Sequence, residues 1–259
     1  MKAARRLLKR AYRQQDSAFL AEGAQAVREA LACAAPKVRE IFVTAEARAR
    51  NPELIEQAKA AGVPIHQASG RVLAELSETV TPQGLVAVCA PIDVRLEDAL
   101  AEDAQLVVLL SAIRDPGNAG TVVRTADAAG ADAVVFSDTS VDPYNGKCVR
   151  ATAGSLFHVP VVVGADVIAT STALRVAGFQ VLAADGSAKE DLDDVEQRGA
   201  LAKKTAWVLG NEAWGLPNDV LAAADQAVRV PIHGRAESLN LAAAAAVCLY
   251  ASARAQRAG

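Results

Sequence analysis

From Leu106 onward the chain carries apolar runs without polar alternation: LVVLL (106–110), AVVFS (133–137), VPVVV (159–163), QVLAA (180–184), TAWVLG (205–210) and QAVRVP (226–231). Strands of this kind are buried on both faces, as in a parallel sheet covered by helices, and the intervening stretches read as helical. The final stretch, SLNLAAAAAVCLYASAR (238–254), is apolar almost all round, which predicts a buried helix. Its alanines allow close helix approach, so a self-complementary contact between two copies is expected there. DGSAKEDLDDVEQRG (185–199) is a polar excursion, read as a loop with a short helix.

The earlier part alternates helix and strand. FLAEGAQAVREALACA (19–34) puts Phe19, Leu20, Ala24, Val27 and Leu31 near one helical face. VREIFVTA (38–45) reads as a strand, and NPELIEQAKAAG (51–62) as a helix capped by Asn51 with Pro52 at its first position. VPIHQAS (63–69) is a strand, GRVLAELSET (70–79) a helix and GLVAVCA (84–90) a closing strand. The pattern divides the chain into a basic N-terminal arm (1–14), a small α/β domain (15–90), an acidic linker (91–104) and a larger α/β domain (105–259).

Composition narrows the class. The 259 residues are 52% hydrophobic and 22% charged, as expected of a globular protein large enough to bury a full core. The four cysteines and three histidines are scattered with no zinc-ligand spacing, and a disulfide framework does not suit so large a core; no metal and a reducing, cytoplasmic setting are expected. No apolar run is long enough for a membrane span, and the N-terminus lacks the apolar segment of a signal peptide. That N-terminus is basic instead. Arg5, Arg6, Lys9, Arg10 and Arg13 recur at helical spacing and are candidates for RNA phosphate contacts, against the plainer reading of a solvated, frayed helix. A formal net charge of −3 excludes a protein that coats nucleic acid indiscriminately, so any RNA contact is local.

Three stretches carry chemistry. LLSAIRDPGNAG (109–120) passes from a strand through a Gly-rich turn into a helix, where backbone N–H groups can face an anion. Asn118 reads as the cap of that helix, and Arg124, bordered by Gly120, Thr121 and Ala128, has room for a partner to reach its donors. WVLGNEAWGLPNDV (207–220) ends a buried strand in Gly-Asn-Glu, at the carboxyl edge where parallel sheets bind ligands. In VRVPIHGRAESLNLAAA (228–244) a strand gives way to a polar loop; Ser238 reads as a helix cap, and Asn240 sits unusually in an apolar first turn.

Together, Asp-Pro-Gly-Asn-x-Gly-x-x-x-Arg-Thr-Ala, the later Gly-Asn-Glu-x-x-Gly-Leu, and Val-Pro-Ile-x-Gly-x-x-x-Ser-Leu-Asn resemble the SpoU (TrmH) family of RNA ribose 2′-O-methyltransferases, of the SPOUT class. FLAEGAQAVREAL and LSETVTPQGLVAVC resemble that family's ribosomal-protein-like substrate-binding module. The resemblance implies an α/β fold: a C-terminal SPOUT domain with a mostly parallel sheet and a trefoil knot, plus a smaller N-terminal α/β/α domain. It implies S-adenosylmethionine as methyl donor, held by Leu209, Gly210, Asn211, Val230, Ile232, Ser238 and Leu239, and no metal. Val230, His233 and Leu241 depart from the family's common isoleucine, methionine and valine without removing a needed group.

Catalytic roles carried over by the resemblance fall on Arg124, Asn118, Glu212 and Asn240. The family pattern makes Arg124 a base, whereas the permanence of guanidinium charge favours stabilisation of a developing alkoxide or orientation of a phosphate. Asn118 would steady the arginine or the ribose, while Glu212 and Asn240 brace the loops; Arg114 joins the RNA-contact candidates. The implied substrate is RNA rather than DNA, because the 2′-hydroxyl distinguishes them. Ribosomal RNA of 23S type comes first and transfer RNA second, with a homodimer as the assembly and no membrane partner. Competing readings are a non-catalytic RNA-binding protein, and a Rossmann-type enzyme that would need the glycine fingerprint absent here. A serine hydrolase would need Gly-x-Ser-x-Gly.

Overall fold

The computed structural model describes residues 2–211 and 214–258, which form two compact units. The first comprises residues 1–92 together with 142–158; the second comprises 93–141 and 159–259.

The first unit is built on a four-stranded sheet. Its strands are β1 (Phe19–Glu22), β2 (Val38–Val43), β3 (Ile65–Gln67) and β4 (Leu85–Cys89), in the order β1-β4-β2-β3. Both β1 and β2 run antiparallel to β4, and β3 runs parallel to β2. Phe19 to Glu22 therefore form a strand, not the start of the expected helix. Gly23, at φ 96°, turns the chain out of the strand, and the helix occupies Ala24–Ala34. Asn51 also departs from expectation. Its side chain donates to the Ala47 carbonyl at 2.8 Å, closing the preceding helix Ala45–Arg50 rather than capping Pro52–Ala60.

The segment 142–158 completes this unit's core. The Tyr144 ring stacks on Phe19 with centroids 4.5 Å apart, and its hydroxyl accepts from the Ile92 backbone N–H at 2.9 Å. Arg13 is buried. Its guanidinium pairs with Asp142 through Nε at 2.8 Å and Nη2 at 2.7 Å, and Nη1 donates to the Leu7 and Leu8 carbonyls. Arg13 is thus a structural cation and does not face a phosphate. The N-terminal segment is two short helices, Lys2–Arg6 and Arg10–Asp16, with Ala4 and Leu7 in the core.

In the second unit seven strands form one parallel sheet: β5 (Leu106–Leu110), β6 (Ala133–Ser137), β7 (Val161–Ala165), β8 (Gln180–Ala184), β9 (Glu190–Asp191), β10 (Thr205–Leu209) and β11 (Gln226–Arg229). Their order is β7-β6-β5-β10-β8-β11-β9, and every neighbouring pair is parallel. β5, β6 and β10 are buried at every position, as their unbroken apolar runs require. Two helices, Pro116–Ala129 and Leu241–Arg257, pack against each other. Trp207 of β10 is wholly buried and donates its indole N–H to Ser252 Oγ at 2.9 Å, tying the last helix to the sheet.

That last helix is not buried all round. Ala243, Val247, Tyr250 and Arg254 form an exposed stripe at helical spacing. Among the described residues no helix is long and apolar enough to cross a membrane.

Removing one partner of a buried ion pair leaves the other as an uncompensated charge. Arg13→Ala should therefore destabilise the first unit by about 3 kcal/mol in urea unfolding, and Arg13→Met combined with Asp142→Leu should recover most of that loss.

Candidate active site

All seven strands of the second unit are parallel, so their carboxyl ends share one edge. Leu209 of β10 lies in register with Leu110 of β5 and with Ala184 of β8, and the loops that follow these strands, with the loop after β11, leave side by side. The Ser111 N–H donates to the Leu209 carbonyl at 2.9 Å, joining the first two loops at their roots.

The loop after β5 adopts an unfavourable conformation. Ala112 has φ 55°, a left-handed value that costs a non-glycine residue energy. Hydroxyl groups hold it there: the Ala112 N–H donates to Ser137 Oγ at 3.1 Å and the Ile113 N–H to Ser140 Oγ at 3.1 Å, while Ser140 Oγ donates to the Leu110 carbonyl. The Asn211 side chain, from the loop after β10, donates to the Ala112 carbonyl at 3.3 Å. Ser137, which ends β6, and Ser140, just beyond the turn that follows it, are positioning residues that the sequence pattern did not single out.

The helix Pro116–Ala129 is capped by Asp115, whose carboxylate accepts from the Asn118 N–H at 2.8 Å, so the expected cap role of Asn118 falls three residues earlier. The Asn118 side chain is freed for a different contact: its Oδ1 accepts from Asn240 Nδ2 at 3.1 Å. Asn240, not Ser238, caps the last helix, with Oδ1 accepting from the Ala242 N–H at 2.9 Å. Ser238 is an exposed loop residue.

A cavity of about 590 Å³ opens along this edge, within the usual size of a small-molecule site. Leu209, Gly210 and Asn211 at the end of β10 line it, as do Val230, Ile232, Ser238 and Leu239 from the loop after β11. His233, noted as a departure from the family pattern, also borders it, as do Asp185, Arg229 and Glu237, which were not among the expected site residues. Arg229 grips Asp191 with bonds of 2.6 and 3.0 Å, which lower the carboxyl's pKa and raise that of the guanidinium. At Gly210 a Cβ would stand 2.7 Å from the Gly215 carbonyl oxygen, so only glycine lets the strand end meet the turn closed by the Asn211–Gly215 bridge.

A second cavity of about 240 Å³ is lined by Ile113, Arg114, Asp115, Asn118 and the largely exposed Trp214, and shares Asn211 and Leu241 with the first. Arg114 is exposed there. Arg124 lines neither cavity; it is exposed on the helix, with no ion pair among the described residues. Glu212 lies outside the described residues. In the first unit, Arg5 pairs with Glu75 at 3.0 Å, Arg6 lies over the Tyr12 ring, and Lys9 and Arg10 are exposed.

Residues 105–250 match the SpoU rRNA Methylase family, and residues 20–94 match the RNA 2′-O ribose methyltransferase substrate-binding family. The chain belongs to the SpoU rRNA methylase family. It is 36% identical over 238 residues to the 23S rRNA (guanosine(2553)-2′-O)-methyltransferase RlmP of Bacillus subtilis, covering 92% of this chain and 89% of the relative. It is 33% identical to the 23S rRNA (guanosine-2′-O-)-methyltransferase RlmB of Bordetella pertussis, covering 92% and 97%. The solved SpoU methyltransferase AviRb of Streptomyces viridochromogenes, in complex with AdoMet, superposes with a TM-score of 0.83 at 28% identity, over 100% of this chain and 98% of that one. For a member of this family, a cavity bordered by three loops, with a glycine at its tightest turn, suits S-adenosylmethionine.

Gly210→Ala should weaken S-adenosylmethionine binding by at least about 10-fold in calorimetry while leaving the far-UV circular dichroism unchanged, because the added methyl displaces Gly215 and Leu216 and little else.

Proposed function

We propose that the protein methylates a ribose 2′-hydroxyl of ribosomal RNA with S-adenosylmethionine as donor. The reading is carried by the cavity at the parallel strand ends, where the loops after β10 and β11 meet, in a chain that aligns over nearly its full length with 23S rRNA 2′-O-methyltransferases. Bound there, S-adenosylmethionine supplies an electrophilic methyl group on a sulfonium.

The chain's own residues supply position and electrostatics. Main chain around Leu209–Asn211 and the Val230–Leu239 loop hold the donor, and Gly210 lets those segments close together. Asn118 and Asn240, joined at 3.1 Å, keep the helix Pro116–Ala129 and the last helix in fixed relation at the rim. Arg124 stabilises negative charge as it develops on the ribose oxygen, its exposed guanidinium being open to a nucleotide. Positive charge on sulfur and growing negative charge on oxygen cancel as the methyl moves, so orientation contributes much of the acceleration.

The assembly in this reading is a homodimer. Val247 and Tyr250 are exposed on the last helix, Thr121, Arg124 and Ala128 on its neighbour, and Tyr250 Oη reaches the Ala128 carbonyl at 3.5 Å. A second copy on this face would cover Val247 and Tyr250 beside Arg124. The trefoil threading of the family fold, the cytoplasmic setting of ribosomal RNA and the contacts of Lys9, Arg10 and Arg114 with RNA phosphates belong to the same reading.

Mapping 2′-O-methyl positions in total RNA from cells with and without the gene tests the substrate: loss of one mark in large-subunit ribosomal RNA is expected, and a mark lost only from transfer RNA would overturn that assignment. Arg124→Lys keeps a charge but not the planar fork of donors, and should lower kcat by about 100-fold with S-adenosylmethionine affinity unchanged. Single-turnover kinetics and calorimetry on the same variant separate the two effects.

A further inference from the structure

The cysteines and histidines that the sequence scatters do not all stay apart. We propose that Glu29, Cys33 and His158, in the first unit, form a binding site for one zinc-like divalent transition-metal ion, with solvent completing the coordination. Glu29 and Cys33 are one turn apart on the helix Ala24–Ala34 and share a face, and His158 follows the short turn Ser155–Phe157. One donor atom from each lies within 4.8 Å of the others. His158 Nε2 and Glu29 Oε2 are 3.1 Å apart. Nitrogen, oxygen and sulfur donors around tetrahedral zinc are separated by about 3.3–3.6 Å, so the first pair already has near-coordinating spacing and the thiol must close a gap of at most about 1.3 Å.

Two further contacts fix the carboxylate. Glu29 Oε1 accepts from Gln25 Nε2 at 2.9 Å, the kind of outer bond that orients ligating carboxylates. Gly154, at φ 102°, faces the Glu29 stem so closely that a Cβ there would stand 2.5 Å from Glu29 Cγ. The backbone thus makes room for this carboxylate beside His158.

Cys33 is also the exposed thiol among the four cysteines; Cys89, Cys148 and Cys248 are buried, and burial pushes the thiols of Cys89 and Cys248 up to about 12. The metal would clip the helix Ala24–Ala34 to the segment 142–158 within one unit. The site shares no residue with the cofactor cavity.

The test uses the full-length protein after metal removal. Cobalt(II) titration is expected to saturate at one equivalent with a thiolate-to-cobalt charge-transfer band and the intense visible bands of tetrahedral cobalt. Competition with a chelator should show zinc binding weakened about 100-fold by Cys33→Ser, and likewise by His158→Gln. Cys33 is exposed and the serine nearly isosteric, so that variant keeps its fold; circular dichroism confirms it. One equivalent of zinc should also slow modification of Cys33 by a thiol reagent. Cobalt binding without the charge-transfer band, or zinc affinity unchanged by Cys33→Ser, would overturn the proposal.

Discussion

Parallel pairing of β5, β10, β8 and β11 is the constraint from which the site follows. Because neighbouring strands run the same way and in close register, the chain delivers four separate segments to one edge of the sheet, in positions set by backbone hydrogen bonds. The same pairing demands burial on both faces, which explains the unbroken valine and leucine runs of β5, β6 and β10. The Trp207–Ser252 bond extends the constraint to the last helix, whose amino end carries Asn240 to the rim. A shift of one residue at β10 would move Gly210 away from Gly215 and Asn211 away from Ala112 together.

Around that edge, a costly conformation is held by inexpensive polar groups. The left-handed Ala112 costs on the order of 1 kcal/mol, and several hydrogen bonds from Ser137, Ser140 and Asn211, each contributing about 1 kcal/mol net, more than offset it. Asn240 works in two directions: its oxygen caps a helix and its amide nitrogen reaches Asn118. A single side chain therefore sets both where the last helix begins and how that beginning meets the 116–129 helix.

The central strands β5, β6 and β10 were legible because burial on two faces leaves a compositional mark that neighbours cannot hide, whereas the half-exposed Glu190–Asp191 of β9 lies in the stretch read as a loop with a short helix. β1 was not legible either. Phe19, Leu20 and Ala21 are compatible with a helical face, and only pairing with β4, 66 or more residues away, makes them a strand. Helix caps were misread for a related reason: Asp115, Asn118, Ser238 and Asn240 are all good caps, and φ and ψ, invisible in the sequence, decide among them. The cavity-lining residues Leu209, Gly210, Asn211, Val230, Ile232, Ser238 and Leu239 were implied by the family resemblance, whereas Asp185 and Glu237 were not. Arg13 looked like one more basic residue in a basic stretch until Asp142, distant in sequence, came to lie beside it.

The boundary of the first unit also matters for dissecting the molecule. Its core includes residues 142–158, which lie inside the stretch matching the methylase family, not the substrate-binding one. Severing the chain after Ile92 would thus not liberate a self-sufficient module: Phe19 would lose its aromatic neighbour, and Arg13 would be stranded as an orphan cation in an oily interior. The two family segments follow one another in sequence, but the first unit takes residues from both.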